Sequence, residues 1–522
     1  MMDGPIVQVK QGKLRGVIEN NIEGGKYFSF RGIPFAEPPV GNLRFKKPQP
    51  PKSWSGIKLA VDDSKVSAQS DELEKAIIGG DDCLYLNVAT NSFTETRPVI
   101  IWIHGGSFCK SFNSFKKYGP DYLLKKNIVF VSVNYRLGIL GFLNMEHEEC
   151  EGNQGLQDLI AALKWIQSNI NAFGGDSNNV TIFGESAGGA LVHGLCISPL
   201  AKGLFNKAIT QSGVLFNPWA FKVSNKEYGY SLAKELGKEC SSPLEVIEFL
   251  QTISADELIE KYEATNQKEL SNFILSQIPT TDNEMVNPLF PFSHSEMRKR
   301  PIVVPMIIGY NSHEGIMLLV HNFPERIKQI NDKFEKMIMT YFDLNATEHV
   351  LKVIQIIREF YFGRDEITEK KIDELVQFLG DLYFVNNIHE VLDNQMQHAS
   401  PTYFYKFSYR PNYPGMKQKL NIKVEGTCHG DEMGCLFYSE KKTGKLSNKN
   451  DRRTMERMTT MWTNFAKTGD PTPDIDELIT TKWLPLEKRT KNCYEIGDNL
   501  TCGENADDQK WKMWNSLFEC VQ

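Results

Sequence analysis

Long apolar segments are missing from this chain of 522 residues. No run of about 18 consecutive apolar residues occurs, so we expect no transmembrane helix. Residues 1–9 also lack the basic segment followed by an apolar segment that marks a secretory signal. A cytoplasmic location is therefore expected, although a chain from which a signal had been removed would read the same way and would be secreted.

A strong charge of one sign is also missing. The formal net charge is -6, so no basic field points to nucleic acid or to an anionic membrane. The lysines that cluster between 441 and 449 are explained by a solvated loop. The ten cysteines show no C-x-x-C or other metal-ligand spacing. We therefore expect free thiols, no disulfide framework and no metal site.

The organisation of the chain favours one α/β domain over residues 1–522. No Pro-, Ser- or Gly-rich linker divides it, and 41% apolar residues supply ample material for a core. Short apolar runs alternate with segments of helical periodicity, which is typical of a doubly wound sheet. The predicted strands are 82–88, 98–103, 128–134, 180–183, 206–211, 303–309 and 402–409, after a hairpin within 6–17. The predicted helices are 156–170, 187–195, 454–466 and 509–518, with helical inserts at about 226–272 and 325–398.

One stretch predicts a strand, a sharp turn and a helix around a serine. Gly184–Gly188 has the pattern G-x-S-x-G, in which two glycines let backbone segments approach closely and expose the serine in a strained turn. Such a pattern also occurs in ordinary loops. Here the strand-like run before Gly184 and the helix-compatible run after Ser186 favour a nucleophile elbow.

A serine nucleophile needs a base, and the base needs an acid that orients it. Behind such an elbow the chain order is Ser, acid, His, which leaves the histidines that follow Ser186. His429 fits best because it lies in a loop of small residues after the strand 402–409. Glu314, just beyond the strand 303–309, is the predicted acid. The alternatives are a solvated or capping His429, a helix-terminal role for Glu314, and Asp431 as a second candidate for the acid.

Backbone N–H groups must meet the oxyanion that forms when the serine attacks a carbonyl. Ala187, the residue after the predicted nucleophile, is one donor. The glycine-rich turn Ile103–Phe108 follows an early strand and is predicted to supply the others. Taken alone, this motif is also compatible with a simple tight turn.

Taken together, these motifs resemble those of the type-B carboxylesterases, which include the cholinesterases. The likeness covers nearly the whole chain and rests on FRGIPFAEPPVG at 30–41, DCLYLNV at 82–88, NYRLG at 134–138, FGGD at 173–176 and GESAG at 184–188. YGPDY at 118–122, together with the missing signal, is most similar to the insect α-esterases.

The resemblance implies an α/β-hydrolase fold and a serine ester hydrolase that needs no cofactor. It implies a catalytic triad of Ser186, Glu314 and His429, and an oxyanion hole formed by Gly106, Ser107 and Ala187. It also implies that Trp219 and Phe108 line the substrate pocket, with Trp219 on the acyl side. The alternative for Trp219 is a plain core position.

The chain departs from the family pattern at several positions. Ser107 stands where a third glycine is usual, which places a Cβ and a hydroxyl beside the reaction site. No cysteine precedes Cys83 to pair with it, in contrast to secreted members. No tryptophan lies between Trp54 and Trp102, where cholinesterases carry their choline-binding indole, which argues against that activity. Juvenile hormone esterases usually have Gln where Glu185 stands.

The predicted function is hydrolysis of small to medium hydrophobic carboxylic esters through an acyl-enzyme, in detoxification or general ester metabolism. The partners implied are small ester substrates and no nucleic acid, and the oligomeric state stays open. The alternatives are a slow scavenger of esters or organophosphates, a juvenile-hormone-type esterase, and a binding protein like the adhesion proteins that share the fold without the triad.

Overall fold

The computed structural model describes residues 4–71, 76–270, 275–319, 323–342, 347–398, 400–415, 417, 424–441, 444, 446–504 and 507–521. The strands in these ranges are β1 Ile6–Val9, β2 Gly12–Arg15, β3 Val17–Asn20, β4 Lys26–Pro34, β5 Ile57–Leu59, β6 Gln69–Asp71, β7 Ala76–Ile78, β8 Tyr85–Thr90, β9 Arg97–Ile103, β10 Val129–Val133, β11 Asn144–His147, β12 Cys150–Glu151, β13 Gly175–Glu185, β14 Lys207–Gln211, β15 Met306–Asn311, β16 Thr402–Phe407, β17 Asn492–Ile496 and β18 Leu500–Glu504.

The helices are α1 Asp121–Leu124, α2 Gly138–Phe142, α3 Gln154–Asn169, α4 Ala187–Ile197, α5 Lys226–Glu235, α6 Pro243–Thr252, α7 Ala255–Leu270, α8 His294–Arg298, α9 Phe323–Phe342, α10 Glu348–Phe362, α11 Ile372–Gly380, α12 Asn386–Gln395, α13 Lys449–Thr468 and α14 Asp508–Val521. Within the described ranges, none of them combines the length and the apolarity that a membrane crossing requires.

A sheet of eleven strands, counted over the described residues, organises the molecule. Its order is β18-β17-β16-β15-β14-β13-β9-β10-β8-β4-β3. Pairing is parallel from β10 through β9 and on to β17, and antiparallel at both ends. Because parallel strands point their carboxyl ends to one edge, the turns after β9, β13, β15 and β16 meet there.

The central strands are buried on both faces, as their continuous apolar runs predict. In β9, Ile101 packs into one core while its neighbours Ile100 and Trp102 pack into another, on the opposite face. Helix α3 covers the first face with its apolar stripe, and α13 covers the second through residues such as Trp462. The sheet is therefore enclosed between helical layers.

Several predicted boundaries shift. The strand predicted at 303–309 begins only at Met306, after Pro305, and the one predicted at 82–88 begins at Tyr85. The insert at 226–272 contains helices α5 to α7, with 271–272 outside the described residues. The insert at 325–398 contains α9 to α12, with 343–346 outside. Positions 442, 443 and 445 of the lysine-rich loop also lie outside.

A π-helical turn at Asp381–Val385 joins α11 to α12, and the sequence did not predict it. A π turn holds one residue more than an α turn, so 3.6-residue periodicity does not reveal it. Such turns are frequent at functional sites. This turn lies beside the loop that carries His429, and its residue Phe384 contacts that histidine.

Candidate active site

Ser186 sits at a strained turn between β13 and α4. Its φ of 60° and ψ of -127° are rarely adopted by a residue with a side chain. A Cβ on Gly184 would lie 2.5 Å from the backbone of Gly188, and one on Gly188 would lie 2.1 Å from the carbonyl oxygen of Ile103. Both positions therefore require glycine, which is the packing that an elbow needs.

His429 and Glu314 come together from different strands. Nδ1 of His429 lies 2.6 Å from Oε2 of Glu314, and both side chains are almost fully buried. The other oxygen of Glu314 accepts a hydrogen bond from the backbone N–H of Asn311 at 2.7 Å. Glu314 is also the first residue of a 3-10 helix, so its carboxylate contacts the imidazole from the N-terminus of that helix. Asp431 instead accepts from the backbone N–H of Cys428 at 2.8 Å.

A second carboxylate meets the other nitrogen of the same ring. Oε1 of Glu185, the residue before Ser186, lies 3.0 Å from Nε2 of His429. Burial disfavours the charged imidazolium, but the charges of Glu185 and Glu314 outweigh it and raise the pKa of His429 to about 9. The two carboxylates therefore favour the protonated form of His429.

Glu432 extends this network behind the histidine. Its carboxyl group accepts from Nε2 of Gln211 at 3.0 Å and from the side-chain amide of Asn311. Burial above all, and then the neighbouring Glu185, raise the pKa of Glu432. This favours its neutral form and reduces repulsion among the carboxyl groups that surround His429.

The glycine-rich turn after β9 packs against the elbow. A Cβ on Gly105 would lie 3.0 Å from Cβ of Ser186. Ser107 and Phe108 both have positive φ values, 53° and 59°. Within the described part of the chain, the backbone N–H groups of Gly106, Ser107 and Ala187 have no hydrogen-bond acceptor. Unpaired donors beside a nucleophile are what an oxyanion hole offers.

Phe108, Trp219 and Phe384 form a chain of aromatic contacts, called the aromatic wall, that reaches His429 through Phe384. The Trp219 ring centroid lies 6.2 Å from that of Phe108 and 5.5 Å from that of Phe384. Phe384 in turn lies 4.7 Å from the ring of His429. The indole N–H of Trp219 donates to the carbonyl of Tyr383 at 2.8 Å, so this tryptophan is anchored to the π turn.

Asn217 ties the π turn to the elbow side of the site. Its amide donates to the carbonyls of Tyr383 and Phe384 at 3.0 and 2.9 Å. Its oxygen accepts from the backbone N–H of Val214 at 2.7 Å. Asn217 is fully buried, so these contacts satisfy the polar atoms of its side chain.

The sequence predicts that Ser186, Glu314, His429 and the glycine-rich turn lie together. In the structure they are neighbours. Sequence reasoning missed Glu185 as a contact of His429, Glu432 as a neighbour, and Phe384 as part of the wall. The position of Glu185 inside the elbow motif was a usable signal, because its carboxylate had to lie near the serine. Phe384 gave none, since it lies in a helical stretch far along the chain.

Fold and site together define a serine hydrolase of the α/β-hydrolase class. The sequence model described as "Carboxylesterase family" matches residues 3–514, so the chain belongs to the carboxylesterase family and is a serine ester hydrolase. The resemblance to the type-B carboxylesterases and the α/β-hydrolase fold, both predicted from the sequence, are confirmed.

Two relatives with named esterase functions and one solved structure are similar to this chain. Esterase FE4 of Myzus persicae is 34% identical over 510 residues, which cover 94% of this chain and 88% of that protein. Juvenile hormone esterase of Tribolium castaneum is 32% identical over 497 residues, covering 90% and 84%. The crystal structure of juvenile hormone esterase from Manduca sexta matches with a TM-score of 0.88 at 24% identity, covering 99% of this chain and 100% of that one, which supports the fold alone.

Proposed function

We propose that the protein hydrolyses small to medium hydrophobic carboxylic esters in two steps, with Ser186 as nucleophile, His429 as base and Glu314 as orienting acid. The contact between Nδ1 of His429 and Glu314, beside the elbow, carries this proposal. Neutral His429 accepts the serine proton at Nε2 while Ser186 attacks the ester carbonyl. The N–H groups of Gly106, Ser107 and Ala187 meet the oxyanion.

Collapse of the tetrahedral intermediate releases the alcohol, which takes the proton from Nε2. Water then attacks the acyl-enzyme with His429 again as base, and Ser186 is released with the carboxylic acid. The aromatic wall supports a hydrophobic acyl group, because buried rings offer apolar area and few polar partners. Detoxification or general ester metabolism is the proposed role. A cytoplasmic location is also proposed, and the free thiols of the described cysteines are compatible with it.

Slow turnover is a second candidate, favoured by the contact between Glu185 and Nε2 of His429. An imidazolium held between two carboxylates cannot accept a proton from water. The same imidazolium cannot accept the proton of Ser186, so acylation and deacylation would both be slow near neutral pH, and the protein would act as a slow scavenger of esters or organophosphates. A juvenile-hormone-type activity is supported by similarity to the Tribolium castaneum relative, although Glu185 departs from the Gln usual in that group.

A p-nitrophenyl ester series, followed in the pre-steady state and the steady state, separates these candidates. Steady release of p-nitrophenol well beyond one equivalent per protein is expected for metabolic hydrolysis. A burst of one equivalent followed by near silence indicates sequestration. Ser186→Ala serves as the control, and hydrolysis that survives in this variant would overturn the assignment of the nucleophile.

A further inference from the structure

We propose that Lys117, together with Ser111, Phe112 and Tyr118, forms a cationic subsite that accepts a carboxylate on the alcohol half of the ester. The four residues are called the Lys117 subsite below. The inference rests on the proposed function, because it assigns a further recognition element to the same active site. It adds a charged substrate class to the hydrophobic esters already considered.

The ammonium group of Lys117 has one hydrogen-bond acceptor among the residues that the structure describes. Nζ donates to Oγ of Ser111 at 2.7 Å, and no ion-pair partner within 4.0 Å is present among the described residues. It lies 5.2 Å from the ring centroid of Phe112 and 5.3 Å from that of Tyr118. An ammonium carries three donors, and the described residues accept from one of them.

Ser111 places this ammonium beside the predicted oxyanion hole. A Cβ on Gly106 would lie 3.1 Å from Cβ of Ser111, so the two residues are in contact. Ser111 adopts a φ of 97°, and Gln69 holds it there, accepting from its backbone N–H at 2.6 Å and donating to its carbonyl at 2.9 Å. The hydroxyl of Tyr118 lies 3.0 Å from Oγ of Ser111. Hydrogen bonds with Gln69 and Tyr118 therefore hold the residue that accepts from the ammonium.

The surroundings make an added anion favourable. Burial, and then the positive charge of Lys110, lower the pKa of Lys117 to about 8, while Glu185 and Asp71 act in the opposite direction. Burial therefore disfavours the charged form of this lysine, and a bound anion would favour it. A carboxylate that reaches it gains a charge-assisted hydrogen bond in a partly desolvated place, where such bonds are strong.

The position of the subsite points to the alcohol half of the substrate. Phe108 belongs to the aromatic wall that is proposed to hold the acyl group, whereas Ser111, three residues further on, accepts the hydrogen bond of the Lys117 ammonium. Lys117 also interacts electrostatically with Glu185, whose carboxylate contacts Nε2 of His429. Nε2 is the atom that protonates the departing alcohol, so the Lys117 subsite lies near the leaving group.

A purely structural role makes a different prediction. A lysine whose stem covers aromatic rings stabilises the fold through cation–π contacts and apolar packing. Replacing it would then lower stability, and it would change the hydrolysis of charged and neutral esters by the same factor. Selectivity between the two kinds of ester is therefore the discriminating readout.

The test compares meta-acetoxybenzoate with its neutral methyl ester, using kcat/KM for each in the wild type, Lys117→Met, Lys117→Arg and the exposed neighbour variant Lys116→Met. The ratio of anionic to neutral kcat/KM is expected to fall about tenfold in Lys117→Met and to stay near the wild-type value in Lys117→Arg and Lys116→Met. An unchanged ratio in a folded, active Lys117→Met would overturn the subsite.

Inhibition of the wild type supplies a test that does not depend on the folding of variants. Benzoate is expected to inhibit the hydrolysis of phenyl acetate competitively and about tenfold more strongly than benzamide, which has a similar shape and no charge. Equal or weaker inhibition by benzoate would contradict the inference. Failure of the wild type to hydrolyse phenyl acetate at all would instead count against the proposed function.

Discussion

The carboxylate of Glu185 lies 3.0 Å from Nε2 of His429. The residue before the proposed nucleophile therefore acts on the proposed base, on the nitrogen opposite the one that Glu314 contacts. The imidazole is held between two negative charges, which stabilise its protonated form. This relationship sets the pH at which the site becomes competent.

We predict that Glu185→Gln shifts the activity of the enzyme to lower pH. The base must be neutral to accept the serine proton, so kcat/KM of the free wild type rises as pH increases through the pKa of His429, about 9. Removing the charge of Glu185 lowers that pKa and moves the acid limb toward neutral pH. The measurement is a pH profile of kcat/KM for a neutral ester. The exposed control variant Glu477→Gln should keep the wild-type profile, and an unmoved limb in Glu185→Gln would refute the electrostatic account.

We predict that Phe384→Leu shifts selectivity toward longer acyl groups. The smaller side chain opens the aromatic wall. We expect the ratio of kcat/KM for hexanoate to kcat/KM for acetate to rise about tenfold, the effect of a methylene-scale change in an apolar pocket. Asn217→Asp should change the same ratio, because it replaces a donor to two carbonyls with an acceptor. The control is Phe360→Leu, an exposed position. If both site variants lose only thermal stability, the π turn does not shape the pocket.

We predict that Ser107→Gly improves the hydrolysis of branched acyl esters relative to acetate. The change removes a Cβ from the proposed oxyanion turn, and glycine adopts the observed positive φ without strain. Comparing kcat/KM for pivalate and acetate esters measures the effect, and burst kinetics report any change in deacylation. Ser107→Ala keeps the Cβ and separates its effect from that of the hydroxyl. Identical kinetics in all three proteins would show that position 107 has no influence on the reaction.

We predict that Asp158→Asn destabilises the fold by about 3 kcal/mol, because it leaves a buried guanidinium without its counter-charge. The guanidinium of Arg136 donates two hydrogen bonds to the carboxylate of Asp158, at 2.8 and 2.7 Å, and both side chains are buried. Chemical denaturation should show a lower midpoint with unchanged slope. The exposed Asp474→Asn should match the wild type. A stability equal to that of the wild type in Asp158→Asn would show that this pair contributes no net stabilisation.

Much of the fold could be predicted because its determinants are local. The apolar runs of β9, β10 and β14 satisfy the requirements of strands that are buried on both faces. The two glycines of the elbow could also be interpreted from the sequence, since each permits a backbone approach that a Cβ would block. Ser186 could therefore be predicted as the nucleophile from its immediate neighbours, and chain order then limited the choice of base and acid.

What could not be predicted depends on contacts between distant segments. Glu185 acquires its role only when the loop that carries His429 returns to the elbow, over more than two hundred positions. Phe384 contacts His429 from within a π turn, and helical periodicity does not reveal such a turn. The position of Lys117 between Ser111 and two aromatic rings likewise follows from its surroundings and not from any motif.

The most direct test of the account is the covalent trapping of the nucleophile. The protein is inactivated with a fluorophosphonate, digested, and mapped by mass spectrometry, with Ser186→Ala in parallel. We expect one adduct per chain, on the peptide that contains Ser186, appearing in proportion to the loss of esterase activity and absent from the variant. Complete inactivation with Ser186 unlabelled, or full esterase activity in Ser186→Ala, would contradict the proposal that this serine attacks the ester.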